Sequence, residues 1–300
     1  MDIRSLRLLM AVAEHGNISS AAAAMGMAQP VLSRHVRAIE TEMRTKLFDR
    51  GPRGVSLNSK GKIVIEGARS IDANYRSALR DLAEAQAGNA GQVRIGATPA
   101  WLRQLVPEAV AGITTNQPAA QIEIIRGSAD VLLKNLLRGK IDIALLPAET
   151  TANHAPLLDV AIAYQSRLSA VSAAGHPAVA AGLLGLADLA RWQWVLPRNS
   201  FARQRFDAAF TAVGLVPPSP AIEVDNTPTI LDIVRQSHLL THGVLPSPDH
   251  PSGAGLVEVD CPELTANVAQ CCVTIRKAKL TPLCRMVLRE LLDVATKTGR

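Results

Sequence analysis

The sequence predicts two kinds of architecture in one chain: a small all-helical unit that ends in a two-stranded hairpin and leads into one long helix, then a larger α/β region. Three observations carry this reading. Apolar residues recur at helical spacing through residues 3–43 and again, unbroken by proline, through 59–87. Between these stretches, residues 48–57 read as two short strands around a Gly51-Pro52 turn. Beyond Gly91, short apolar or alternating strands take turns with helical segments.

Taken in order, Ile3, Leu6, Met10 and Ala13 form one face of a first helix that stops at Gly16. Asn17 or Ser19 can cap a short second helix over 20–25, closed by Gly26. In the third, Leu32, Val36, Ile39 and Met43 share a face, and Pro30 is tolerated in the first turn because the amide it removes has no intrahelical partner there. Three helices followed by a basic hairpin make a winged helix-turn-helix pattern. In the long helix, Val64, Ala68, Ile71, Tyr75, Ala78, Leu82 and Ala85 alternate spacings of four and three, a heptad seam that suggests a coiled-coil partner. A unit of 44 to 57 residues has little surface with which to cover so long a helix. Gly88-Asn89-Ala90-Gly91 then breaks the pattern.

In the α/β region the sequence predicts strands near 93–95, 121–124, 141–146, 166–171, 194–196, 221–224 and 244–245. The 141–146 run is apolar enough for a buried parallel strand. Helices are expected near 102–110, from Ser128 to Gly139, over 201–213 behind a Ser200 cap, over 229–236 after Thr227-Pro228, and from Pro282 onward. Such alternation implies doubly wound layers, in which ligands bind at the carboxyl ends of strands.

Composition narrows the function. The 300 residues contain 4 Phe, 3 Trp and 2 Tyr, too few for a binder that stacks single-stranded bases. Net charge is +6, and the first 90 residues hold 13 Lys and Arg against 9 Asp and Glu, so the excess is concentrated in the smaller part. No apolar run reaches the 18 residues of a membrane span despite a mean hydropathy of +0.14. The start of the chain has no cleavable apolar segment, and Cys261, Cys271, Cys272 and Cys284 make no CxxC pair, so free packing thiols in a cytoplasmic setting are expected. The sequence contains no GxSxG, GxxxxGK[ST], HExxH or GxGxxG, so no catalytic residue is assigned and no enzyme is expected. His238 and His242 lie four apart, but Gly243 and Pro246 argue against a helix there; no metal site and no cofactor are expected.

Ala21-Ala22, Gln29-Pro30, Ser33, Glu40 and Leu47-Phe48-Asp49-Arg50 stand at the spacings of the helix-turn-helix of LysR-type transcriptional regulators, which this chain resembles. Similarity continues through Val93-Arg94-Ile95-Gly96, Leu105-Val106-Pro107, residues 139–144 and Gly243-Val244-Leu245-Pro246. Four positions depart from the pattern. Ala28 replaces a capping Ser, at a cost of roughly 0.5–2 kcal/mol; Met43-Arg44 replaces Leu-Gly, removing a permissive turn residue; Asn17 replaces another Ser, a harmless cap exchange.

The resemblance implies a winged helix-turn-helix at 1–58, a dimerising linker helix and hinge at 59–90, and an effector-binding domain at 91–300. That domain would comprise two Rossmann-like, periplasmic-binding-protein-like subdomains, about 91–161 with 268–300 and about 162–267, joined by two crossing strands. It also implies a sequence-specific regulator that binds double-stranded promoter DNA at a roughly palindromic site, assembles as a homotetramer and answers to a small-molecule effector. For DNA the candidates are Gln29, Pro30, Ser33, Arg34 and Arg37 on the third helix, whose N-terminal residues would reach major-groove base edges. Arg50 and Arg53 in the hairpin suit phosphate or the minor groove, and Ser19 and Ser20 suit phosphate through their N–H groups. For the effector the candidates are Thr98, Ser128, Ser200, Phe201 and Thr227. Four of these are hydroxyls at strand-to-helix transitions, able to hold a carboxylate but equally adequate as helix caps. An architectural DNA binder without an effector remains the alternative, and its affinity would track salt alone.

Overall fold

The computed structural model describes residues 2–51, 54–87, 91–103, 105–247 and 250–298. The first three helices are α1 (Ile3–His15), α2 (Ile18–Ala24) and α3 (Gln29–Glu42). They close around Leu9, Val12, Ala21, Leu32, Val36 and Ile39. Local chemistry fixes their ends. Asp2 accepts the Ser5 amide at 2.7 Å to cap α1, and Asn17 accepts the amides of Ser19 and Ser20 to cap α2. Gly16 ends α1 in the left-handed region at φ 60°.

The hairpin of β1 (Phe48–Gly51) and β2 (Gly54–Leu57) docks on that end: Val55 N–H donates to the Gly16 carbonyl at 2.8 Å. A Cβ on Gly54 would stand 2.4 Å from the same oxygen at φ 119°, so only glycine fits. Arg44 takes the left-handed conformation, φ 53°, where the resemblance had a glycine. The turn therefore keeps its shape without the permissive residue.

Helix α4 (Ser59–Ala87) runs 29 residues. The expected seam divides. Ala68 is buried and Val64 half-buried against the head, while Ile71, Tyr75, Ala78 and Leu82 are exposed, joined by Leu79; the Ala85 side chain lies outside the described residues. The same helix meets the C-terminal part of its own chain, where Ser70 donates to the Arg276 carbonyl and Asn74 accepts the Lys279 amide. The residue 88–90 break also lies outside the described residues.

The rest is built on a seven-stranded mixed sheet and a separate two-stranded parallel pair, with helices on both sides. In chain order come β3 (Gln92–Ala97), α5 (Pro99–Leu102), α6 (Leu105–Asn116), β4 (Gln121–Arg126), α7 (Ala129–Leu137), β5 (Ile143–Pro147) and a 3₁₀ segment, Ala148–Leu157. Next are β6 (Leu158–Ala173), α8 (Pro177–Ala180), α9 (Leu186–Leu189), β7 (Val195–Leu196), α10 (Phe201–Ala212), β8 (Ile222–Glu223) and α11 (Thr227–Arg235). The chain finishes with β9 (Thr241–Val244), β10 (Leu256–Val259), β11 (Ala266–Ile275) and α12 (Pro282–Thr298). Sheet order is β10-β6-β11-β5-β3-β4, with β9 also paired to β6. β3 is parallel to β4 and β5, but β11 is antiparallel to β5 and β6, so the layers are not wound in parallel throughout.

The long strands β6 and β11 cross between two lobes, each with its own core. In the first lobe Trp101, Val106, Ile143, Leu145 and Val287 pack on one face of the sheet, and Leu132, Leu136, Leu146 and Cys271 on the other. In the second, Trp194, Phe206, Phe210 and Leu240 pack together, with Val195, Ile230 and Val234 beside them. Cys271 and Cys272 are successive residues of β11 and so face opposite sides. Burial pushes the Cys271 thiol up to about 12 and that of Cys261 to about 11; all four cysteines are buried.

Candidate nucleic-acid interface and ligand cleft

Leu32, Val36 and Ile39 turn one face of α3 into the head core, which leaves Gln29, Pro30, Arg34 and Arg37 exposed and Ser33 half-buried on the outer face. Ala28 stands at the N-cap without a side-chain hydrogen bond, Pro30 has no amide to offer, and the Val31 amide already donates to the Ala28 carbonyl at 3.0 Å. Ser19 and Ser20 are exposed beside it, but their amides are already bonded to Asn17 Oδ1. Their hydroxyls, rather than the expected N–H groups, are what they can offer a phosphate. The backbone of Arg50 lies in β1 opposite Val55; its side chain and all of Arg53 lie outside the described residues.

Glu40 was legible only as a match to a motif, and its role is structural. It is 6% exposed, and Oε1 accepts the amides of Leu47 at 2.8 Å and Phe48 at 3.4 Å while Oε2 accepts Lys46 Nζ at 3.1 Å. Burial alone would raise its pKa. The two amides and the ammonium outweigh that and hold the carboxyl below its usual range. One side chain thus ties the helix that faces outward to the first strand of the hairpin.

Between the two lobes lies a cavity of about 450 Å³. Thr98, Ser128, Ser200, Phe201 and Thr227 all line it, brought together from four strand-to-helix transitions. Their hydroxyls are not equivalent. Ser200 accepts the Arg203 amide at 3.0 Å as the cap of α10, and Thr98 donates to the Leu145 carbonyl at 3.2 Å. Ser128 is at the N-cap of α7 without a side-chain cap bond. Thr227 is not a cap: Asn226 holds that position on α11, accepting the Thr229 amide. Helices α7, α10 and α11 therefore all begin at the cavity wall, where their partial positive ends favour negative charge.

The remaining wall is mostly apolar, from Leu168, Val171, Ile230, Leu231 and Val244. Arg126 lines it as well, and so do Arg103, His242 and Gln270, which sequence reading missed as ligand contacts. Both ring nitrogens of His242 face carbonyl oxygens, of Ala202 at 2.9 Å and Leu264 at 3.0 Å. Burial lowers its pKa despite those acceptors. Gln270 is buried, its Nε2 donating to Ser166 Oγ at 3.0 Å. Among the described residues no group of three or more His, Cys, Asp or Glu is placed to hold a metal, and no helix is long and apolar enough to cross a membrane.

An outward-facing helix of a winged head, carried on a long helix from a two-lobed cleft domain, defines a ligand-responsive DNA-binding regulator. Comparison with known proteins agrees. Residues 3–62 match the bacterial regulatory helix-turn-helix proteins of the lysR family, and residues 86–296 match the LysR substrate binding domain. The transcriptional regulator GbpR of Azospirillum brasilense is 31% identical over 245 residues, 80% of this chain and 71% of that protein. The solved structure of HinK, a LysR family regulator from Pseudomonas aeruginosa, shares the fold at a TM-score of 0.56 with 22% identity, over 99% of each chain. CbnR, solved in complex with its target DNA, shares it at 0.50 with 20% identity, over 98% of this chain and 100% of that one. The chain belongs to the LysR family of transcriptional regulators, and its activity is DNA-binding regulation modulated by a small-molecule effector in the C-terminal domain.

Proposed function

We propose that the head, residues 1–58, reads a roughly palindromic promoter site through Gln29, Ser33, Arg34 and Arg37 in the major groove. Pro30 sets the start of the reading helix, and Ser19, Ser20, Arg50 and Arg53 hold phosphates. The observation that carries this is the amphipathic division of α3, with Leu32, Val36 and Ile39 inward and four of these side chains outward. A symmetric dimer would form along α4, whose Ile71, Tyr75, Leu79 and Leu82 make an exposed apolar stripe of the kind a second copy covers. Two such dimers would make the homotetramer. The effector-binding domain, 91–300, takes its ligand in the cleft beside Thr98, Ser128, Ser200, Phe201 and Thr227, and ligand binding shifts the population of head arrangements. The protein carries out no catalysis and works in the cytoplasm.

The test is selection of genomic fragments by purified full-length protein at physiological salt, in parallel with a Gln29→Ala/Arg34→Ala variant. Enrichment of a short inverted repeat by the wild type and its loss in the variant is the expected result. Equal retention of all fragments by both proteins, weakening together as salt rises, would replace this reading with an architectural DNA binder.

A further inference from the structure

The charge of the cleft wall is unbalanced. Among the described residues that line it are two arginines, Arg103 and Arg126, one aspartate, Asp225, and the buried His242. The aspartate is engaged elsewhere, its Oδ1 accepting the Arg198 amide at 2.8 Å.

Both arginines belong to the first lobe, and each reaches across the cleft to a backbone carbonyl of the second. Arg103 Nη1 donates to the Val244 carbonyl at 2.7 Å, and Arg126 donates to the carbonyl of Asp225. Arg126 is exposed at the rim, whereas Arg103 is half-buried and no carboxylate pairs with it among the described residues. A neutral carbonyl satisfies one of five guanidinium N–H groups and cancels none of the charge. Burial accordingly works against this cation and lowers its pKa.

The large apolar side chains are elsewhere in the wall. Phe201, Ile230 and Leu231 come from α10 and α11 of the second lobe, beside the polar Ser200, Thr227 and His242, with Leu168 and Val171 from β6. The first lobe therefore supplies both arginines, and the second lobe with β6 supplies the large apolar side chains. A volume near 450 Å³ falls within the range of about 300–1,000 Å³ typical of small-molecule sites.

We propose that the effector is a small amphipathic anion, one carboxylate on an apolar body, and that Arg103 is the residue that reads its charge. The carboxylate takes the guanidinium in bidentate fashion in place of the Val244 carbonyl, beside Thr98 and Ser128, and the apolar body packs on Phe201, Ile230 and Leu231. Because the bond given up is one that joins the lobes, charge recognition and lobe position are a single event. This rests on the reading that the cleft is the effector site.

The experiment is titration of the full-length protein by calorimetry with two matched pairs of probes, benzoate against benzamide and hexanoate against hexanamide. The wild type, Arg103→Gln, Arg103→Lys and the cavity-filling Ile230→Trp are compared, each first checked for native circular dichroism. Expected are heats from the carboxylates that the amides do not give, loss of affinity by about thirtyfold or more in Arg103→Gln, partial retention in Arg103→Lys, and loss in Ile230→Trp. Amides that bind as well as carboxylates, or carboxylate affinity unchanged in Arg103→Gln, would overturn the charge-reading role and leave the cleft as the site. Carboxylate binding that survives in Ile230→Trp would overturn the cleft itself. A wild type that takes none of the four probes would overturn the amphipathic anion. The amide comparison uses the wild type alone, so the proposal can fail even where a variant does not fold.

Discussion

Replacing Glu40 with alanine removes the side chain that joins α3 to the hairpin through buried amides. The Leu47 amide, on a residue with no exposed surface, loses a 2.8 Å bond to a charged acceptor, and the Phe48 amide loses a longer one at 3.4 Å. A buried donor left without a partner costs about 1–3 kcal/mol, and a bond to an ionised acceptor is at the upper end. The Lys46 pair adds little because its side chain is 74% exposed. Glu40→Ala should therefore destabilise the head by about 2–4 kcal/mol. Glu40→Gln keeps an acceptor for Leu47 but loses the charge, and should cost about 1 kcal/mol. Hydrogen exchange read by mass spectrometry gives the local answer: the 47–48 amides should lose protection far more in the alanine variant than in the glutamine one. DNA affinity should fall in the same order, since the hairpin then no longer holds a fixed place beside α3. Because the folded carboxyl titrates below its usual range, this stabilisation is complete above about pH 4.5 and is lost as pH falls through the lower folded value. Unchanged protection of Leu47 and Phe48 in Glu40→Ala would refute the reasoning.

Arg44→Gly relieves a left-handed arginine, worth about 1–2 kcal/mol, against about 0.5–1 kcal/mol of added chain freedom, so the urea midpoint should rise by a net 0.5–1 kcal/mol or so. Ellman's reagent should find no reactive thiol in the native protein and four after unfolding, because every cysteine is buried and those of Cys261 and Cys271 are pushed up to about 11 and 12. The unfolded chain protonates His242 below about pH 6.5 whereas the folded ring resists, so Tm should be level above that pH and decline below it, with a shallower decline in His242→Gln. Glu14→Arg and Arg138→Glu should each change DNA affinity in full-length protein, and the double swap should restore it; three variants indistinguishable from wild type would show that this contact carries nothing.

What the sequence made legible was local. Spacing marked α1, α3 and α4, and Gly16, Asn17 and Ser200 were recognisable as helix ends because each meets its partner within four residues. Failures share a cause, which is distance along the chain. β6 is 16 residues long but only its 166–171 portion stood out, because Asp159, Tyr164 and Gln165 interrupt any alternation and are held by β11 about a hundred residues away. Arg103 follows a four-residue helix and gives no local signal; its meaning comes from a carbonyl 141 residues distant. At 225–227 the problem was instead excess, since Asp, Asn and Thr are all good caps and only the folded chain selects Asn226. The effector candidates were found as hydroxyls before helices, which located the wall of the cavity but not Arg103 in it.

The element that joins the two functional regions is α7. Its first turn, after Ser128, forms part of the cavity wall, and Arg138 just beyond its last residue donates to Glu14 of α1 at 2.9 Å. Gly139 follows in the left-handed region, and a Cβ there would stand 2.9 Å from a guanidinium nitrogen of Arg76 on α4. Head and linker thus both meet the chain at one end of a nine-residue helix that spans about 14 Å. Leu132, Leu133 and Leu136 are buried against Ile141, Leu146 and Leu158, a packed core that resists local bending. A helix held in this way responds as a body, by sliding or tilting. A carboxylate drawn to Arg103 settles against the start of that helix, and it cannot shift the first turn without moving the residues on which Glu14 and Arg76 rest.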